Sequence, residues 1–123
     1  MKLIVTATAP DLKAAVNPRF GRGAYFIVVD SETLQWQAHA NRAVNAAGGA
    51  GSQAAQFVAQ QGVEAVISGD FGPNAYIALA AAEIKMYLLG PSKTVAEAVA
   101  NFTAGKLAQV SAPTGAGHHG GRS

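Results

Sequence analysis

Residues 25–30, Tyr-Phe-Ile-Val-Val-Asp, set four apolar side chains in succession with no polar neighbour to turn toward water. A strand alternates its side chains between two faces, so such a run is expected where both faces are covered. Lys2 to Thr8 (KLIVTAT) reads as a second strand, rich in β-branched residues and bounded by Pro10. Strands of this kind demand layers on either side of a sheet, and the rest of the chain must supply them.

After Asp30-Ser31-Glu32, a turn, Leu34, Trp36, Ala38 and Ala40 alternate with Gln35, Gln37, His39 and Asn41. That period of two predicts a half-exposed strand, antiparallel to its predecessor through a hairpin. The pattern then changes. Ala54, Phe57 and Val58 fall at helical spacing, and Gly62 ends that helix. Ala65 to Ser68 is a short strand, Pro73 opens a helix running through Ala75 to Glu83, and Met86 to Leu89 is a strand stopped by Gly90-Pro91. Thr94-x-x-Glu97 is a capping box opening a helix with Val95, Val99 and Phe102 on its buried stripe, stopped by Gly105. The order β-β-β-α-β-α-β-α predicts an α/β fold with a mixed five-stranded sheet and right-handed parallel crossovers. Residues 1–110 form one domain on this reading. Residues 111–123 (SAPTGAGHHGGRS), with no large apolar side chain, form a flexible tail.

Cysteine is absent from the 123 residues, so neither a disulfide nor any metal site built on protein thiolates is available. A formal charge of +2 is too small to argue for nucleic acid, and no run approaches the roughly 18 apolar residues of a membrane span. The apolar core of MKLIVTATAP is too short for a signal peptide, so a cytoplasmic location is expected.

In open α/β sheets, ligands bind beyond the carboxyl ends of the strands. Three segments should meet there: the loop after the first strand, with Arg19, Phe20, Gly21 and Arg22; the segment from Asn45 through Gly48, Gly49, Gly51 and Ser52; and the turn with Gly69, Asp70, Gly72 and Asn74. Helix N-termini offer unpaired N–H groups, glycines admit a ligand to the backbone, and Arg19, Arg22 and Arg42 add charge. The same glycines would serve equally well as mere turn residues. Nucleotide motifs fail: Gln53 stands in the third glycine's place of G-x-G-x-x-G, and GPSKT lacks the first glycine of a P-loop. Of the carboxylates only Asp70 falls at this edge, too few for a two-metal nuclease. His39 lies on the polar face of its strand, and His118-His119 either add metal ligands by folding over the site or do nothing.

NPRFGRGAYFIVVD, the stretch from GGAGSQ to MYLLG, and TVAEAVANFTAGKL together resemble the dinitrogenase iron–molybdenum cofactor biosynthesis family of NifX-like carriers, from Met1 to about Val110. The resemblance implies a three-layer α/β/α, ribonuclease-H-like fold without nuclease activity. It also implies binding of a preformed metal–sulfur cluster. The small orange-protein branch, which the chain looks most like, carries a molybdenum–copper sulfide cluster; other members handle iron–molybdenum precursors. Such a cargo is polyanionic and brings its own sulfides, so arginines and N–H groups suit it and cysteine is not needed. Weak ligation would come from His39, His118 and His119. The leading expectation is a non-enzymatic carrier or assembly protein, as monomer or cluster-bridged dimer. Its rivals are a hydrolase or transferase of phosphorylated small molecules, acting through Asp70 or His39, and an interaction module for cluster-delivery or cell-division proteins.

Overall fold

The computed structural model of the chain describes residues 1–42 and 50–112. Lys2–Ala7 (β1), Tyr25–Asp30 (β2) and Trp36–Ala40 (β3) come first; Ala50–Gln60 (α1), Ala65–Ser68 (β4), Pro73–Ala81 (α2), Lys85–Leu88 (β5) and Val95–Thr103 (α3) follow in alternation. The strands lie in the order β3-β2-β1-β4-β5. β1 is antiparallel to β2 and parallel to β4, β4 is parallel to β5, and β3 is antiparallel to β2. This is the mixed five-stranded α/β arrangement expected from the element order.

Register sorts the side chains into layers. Ile4, Phe26, Val28, Val66 and Met86 bury against Ala54 and Val58 of α1 and Ala75 and Leu79 of α2. Leu3, Val5, Ile27, Val29 and Ile67 bury on the opposite face, against Val95, Ala98 and Val99 of α3. Phe26 through Val29 are all buried, which is the physical reason this run holds no polar residue. Each such side chain contributes about 1.5–3 kcal/mol on leaving water.

The turns differ from expectation in instructive ways. β3 begins at Trp36 rather than Leu34, because Leu34 sits at φ 63° in the turn. Asp30 builds that turn by accepting the N–H groups of Glu32 and Thr33 at 2.8 and 3.1 Å. Those two donors, the Glu32 N–H foremost, hold the Asp30 carboxyl below its usual range. At α3 the Thr94 hydroxyl accepts the Glu97 N–H at 3.2 Å, while the Glu97 carboxylate reaches one residue further back, to the N–H of Lys93 at 2.9 Å. Beyond α3 the chain returns along the outer edge of β5: Leu88 N–H donates to Ala108 O and Val110 N–H to Met86 O. That strip, which no periodicity announced, covers a sheet edge that would otherwise be open. Ser111 is tied in turn, its carbonyl accepting the Tyr76 hydroxyl at 2.8 Å.

Gly62 (φ 68°) and Gly105 (φ 73°) stop α1 and α3 as read from the sequence. α2 stops earlier than expected, at Ala81, and Glu83 takes the left-handed conformation at φ 61°. Ile84 N–H donates to Leu79 O and Glu83 N–H to Ala80 O, both at 3.0 Å, a Schellman ending with Ile84 and Leu79 buried together. Glycine is the residue such a position favours, and the exposed Glu83 has no burial to lose. Glu83→Gly is therefore expected to raise the unfolding free energy by about 1 kcal/mol. Urea denaturation checks this, and a lower midpoint would show the carboxylate to be engaged.

Candidate functional site

The chain leaves β1 and makes an excursion that docks on the start of α3, with Val95 N–H donating to Ala14 O and Ala96 N–H to Leu12 O. It returns beside its own strand: Asn17 N–H donates to Thr6 O at 2.9 Å, and the Thr6 hydroxyl donates to Asn17 O at 2.7 Å while lying 3.0 Å from the Ser68 hydroxyl. Asn17 Oδ1 then accepts the Arg19 N–H at 2.9 Å and starts the turn that carries the arginines.

Pro18 packs on Gly69. A Cβ at Gly69 would stand 2.6 Å from Pro18 Cα and 2.8 Å from its carbonyl carbon, so the contact exists only because residue 69 has no side chain. Just beyond it, Arg19 and Asp70 form a parallel backbone bridge. Phe20, expected in the wall of the site, is instead 1 % exposed and lies inside, its ring centroid 5.6 Å from that of Phe71 and 5.9 Å from that of Phe26. The hydrophobic effect draws it there, and it acts as the anchor that leaves Arg19 and Arg22 on the surface. Phe71 is buried in the same way, between a half-buried Asp70 and a half-buried Gly72. Both loops therefore share one device, an apolar ring turned into the core.

The glycines separate by what surrounds them. A Cβ at Gly51 would meet Ala75 Cβ at 3.4 Å, so this residue serves the close approach of α1 and α2. Gly69 is required by Pro18. A Cβ at Gly72 would meet nothing within 4 Å, and its backbone is ordinary extended chain. The fold makes no demand for glycine there. Gly72 caps α2 without a side-chain hydrogen bond, and neither α1 nor α2 has an acidic residue in its first turn. Their leading N–H groups keep their partial positive charge. Ser52 and Asn74 stand in those first turns, Ser52 half-buried and Asn74 exposed.

His39 pairs across the sheet with Phe26 and so faces α1. It is half-buried, its ring edge-on to Phe57 at 5.5 Å, rather than on an open polar face. With Asn41, Arg42, Gln53 and Phe57 it lines a cleft of about 520 Å³ on the seam between β3 and α1. Among the described residues no three of His, Cys, Asp and Glu gather into a metal-binding group. Asn45, Gly48, Gly49, His118 and His119 lie outside the described residues.

One residue central to this edge was not singled out from the sequence. Asn41 reads there as one more polar position of an alternating strand, yet it is 5 % exposed. Its side-chain amide donates to Gly21 O at 3.1 Å and Gly23 O at 2.8 Å, and its backbone N–H donates to Ala24 O at 2.9 Å. The available signal was its place at a strand's end, followed by Arg42.

The fold and this edge define a small α/β domain with guanidinium groups, helix N-termini and the open Gly72 at the strand ends, and no thiol. The chain belongs to the dinitrogenase iron–molybdenum cofactor family, whose model matches residues 1–105. It is similar to the apo form of the orange protein from Desulfovibrio gigas, with 37% identity and a TM-score of 0.88 over 93% of this chain and 96% of that one. A Thermotoga protein of the DUF35 family, solved by NMR, shares 32% identity with a TM-score of 0.81, over 94% of this chain and 98% of its own. A protein from Methanocaldococcus jannaschii, 17% identical over 92% of this chain and 97% of its own with a TM-score of 0.67, shares the fold. No curated protein sequence matches.

Because the Pro18–Gly69 contact joins two of the three loops, Gly69→Ala is expected to lower stability by ~2 kcal/mol, as forced overpacking does. Thermal unfolding checks it. An unchanged midpoint would mean that Pro18 yields freely.

Proposed function

We propose that this protein is a non-enzymatic carrier or assembly protein for an anionic metal–sulfur cluster, of the molybdenum–copper sulfide or iron–molybdenum type. The observation that carries the reading is the family match over residues 1–105 on a chain without cysteine, whose strand ends present arginines and helix N-termini with no acidic residue in their first turns. A cargo that brings its own sulfide needs charge complement and hydrogen-bond donors from the protein. The similarity to the orange protein of Desulfovibrio gigas supports the molybdenum–copper form.

On this reading Arg19 and Arg22 direct N–H donors at sulfide from one rim and Arg42 from the next, and the first turns of α1 and α2 contribute backbone N–H groups. Gly72 keeps its side of the edge open so that a bulky cluster can approach the backbone. Asp70 sets a limit on the charge that the rim can accept. His39, beside Arg42, is the described side chain best suited to a soft metal, and His118 and His119 would add ligands from the tail. The protein acts as monomer or cluster-bridged dimer and hands its cargo to a delivery partner. No described helix is long and apolar enough to cross a membrane.

Anaerobic incubation with tetrathiomolybdate and copper(I), desalting and metal analysis test the proposal. The wild-type protein is expected to retain molybdenum, copper and a visible chromophore. Gly72→Ala is expected to keep its melting temperature, because its Cβ meets nothing, and to lose retained metal severalfold. A wild-type protein that elutes free of metal would contradict the reading, as would turnover of phosphorylated substrates in its place.

A further inference from the structure

We infer that Asn41 is a positioning residue for anion capture, acting through Arg22; the inference rests on the carrier reading above. The two carbonyls that accept its amide, those of Gly21 and Gly23, flank Arg22 on either side. Both N–H donors of one carboxamide are thereby spent on peptide units that bracket Arg22, the one joined to its own nitrogen and the Gly23–Ala24 unit one residue beyond. The backbone N–H of Asn41 adds a third link, to Ala24, and extends β3 into the loop.

The surroundings show why this control is needed. The segment from Phe20 to Arg22 is a single 3-10 turn, with no side-chain cap at its start and extended backbone at Gly23. Gly21 and Gly23 leave the backbone on both sides of Arg22 with wide freedom in the absence of a clamp. Phe20 fixes one end of the turn in the core. Gly23 fits closely, a Cβ there falling 3.3 Å from both Thr6 Cβ and Asn17 Cβ. Between these fixed points the Arg22 peptide is held by Asn41. A buried amide that satisfies two carbonyls in this way has a strict chemical requirement. Aspartate would set a carboxylate against two carbonyl oxygens, and alanine would leave both acceptors unmet.

Position in the chain gives the arrangement its functional sense. Arg42 follows Asn41 directly, so the residue that sets Arg22 also sits at the base of the next guanidinium. The β3–α1 cleft, lined by Asn41 and Arg42, and the arginine loop after β1 thus share one hinge residue. An anion lying between them meets two arginines whose backbone attachments are tied through Asn41 before it arrives, and preorganisation of this kind lowers the cost of binding.

The test is a double-mutant cycle with tetrathiomolybdate as probe, titrated anaerobically at several salt concentrations, with the folded state verified by circular dichroism at each point. Arg22→Ala and Asn41→Ala are each expected to weaken binding about tenfold, as loss of a charged hydrogen-bond donor does. The Asn41→Ala, Arg22→Ala pair is expected to be no weaker than either single variant, and the salt dependence of Asn41→Ala is expected to be as shallow as that of Arg22→Ala. A purely structural role would not move the salt dependence. Asn41→Ser, which keeps one donor in place of two, takes the place of Asn41→Ala should that variant fail to fold. Multiplicative losses in the double variant, or wild-type affinity in both Asn41 variants, would overturn the inference alone. Absence of binding by the wild-type protein would overturn the carrier reading and this inference with it.

Discussion

Pro18 lies on the backbone of Gly69 at a distance no side chain would allow, and the strand-end surface is organised around that contact. It brings the loop after β1 against the turn after β4, two segments some fifty residues apart in sequence. The Arg19–Asp70 backbone bridge and the packing of Phe20 on Phe71 follow from the same approach. Asn41 then ties the arginine loop to β3, and the fit of Gly51 against Ala75 brings α1 beside α2. Each link is a small steric or hydrogen-bonding fact. Together they hold the arginine loop, the turn after β4 and the end of β3 in one register.

This construction explains how a surface can be both polar and rigid. Loops carrying arginine would ordinarily wander, since hydration and side-chain entropy favour disorder. Here the loop after β1 gives Phe20 to the core and the turn after β4 gives Phe71, and each is held by its ring. Phe20 and Phe71 anchor these two loops, while Arg19 and Arg22 remain exposed. On the carrier reading proposed above such anchoring matters, because donors fixed beforehand bind a polyanion at lower cost.

Much of the fold was legible in residue pattern. The apolar Phe26–Val29 run announced a strand buried on both faces, the change of period after Asn41 announced the helices, and Gly62 and Gly105 marked two of their ends. Glu83 did not, because nothing in a glutamate signals a left-handed backbone; tertiary packing of Ile84 on Leu79 imposes it. The strip at 108–110 was hidden for a related reason, as its pairing with β5 is a matter of backbone donors rather than side-chain pattern.

The site was legible as a place more than as a set of roles. Sequence drew Gly51, Gly69 and Gly72 together as one kind of residue, whereas space around their Cα atoms shows three: a helix contact, a loop contact and an open face. Phe20 was expected in the wall of the site and lies in the core, since an aromatic ring between two arginines gives no sign of which way it turns. Asn41 went unnoticed because a buried amide and a solvated one are spelled alike.

The central claim is that the cargo's sulfur is inorganic and its protein contacts are not thiolate. Molybdenum K-edge X-ray absorption on the loaded protein, with acid-labile sulfide measured on the same sample, tests it most directly. The account predicts a first shell made of sulfur, all of it released as sulfide on acidification. A shell of oxygen, as in adventitious molybdate, would contradict it.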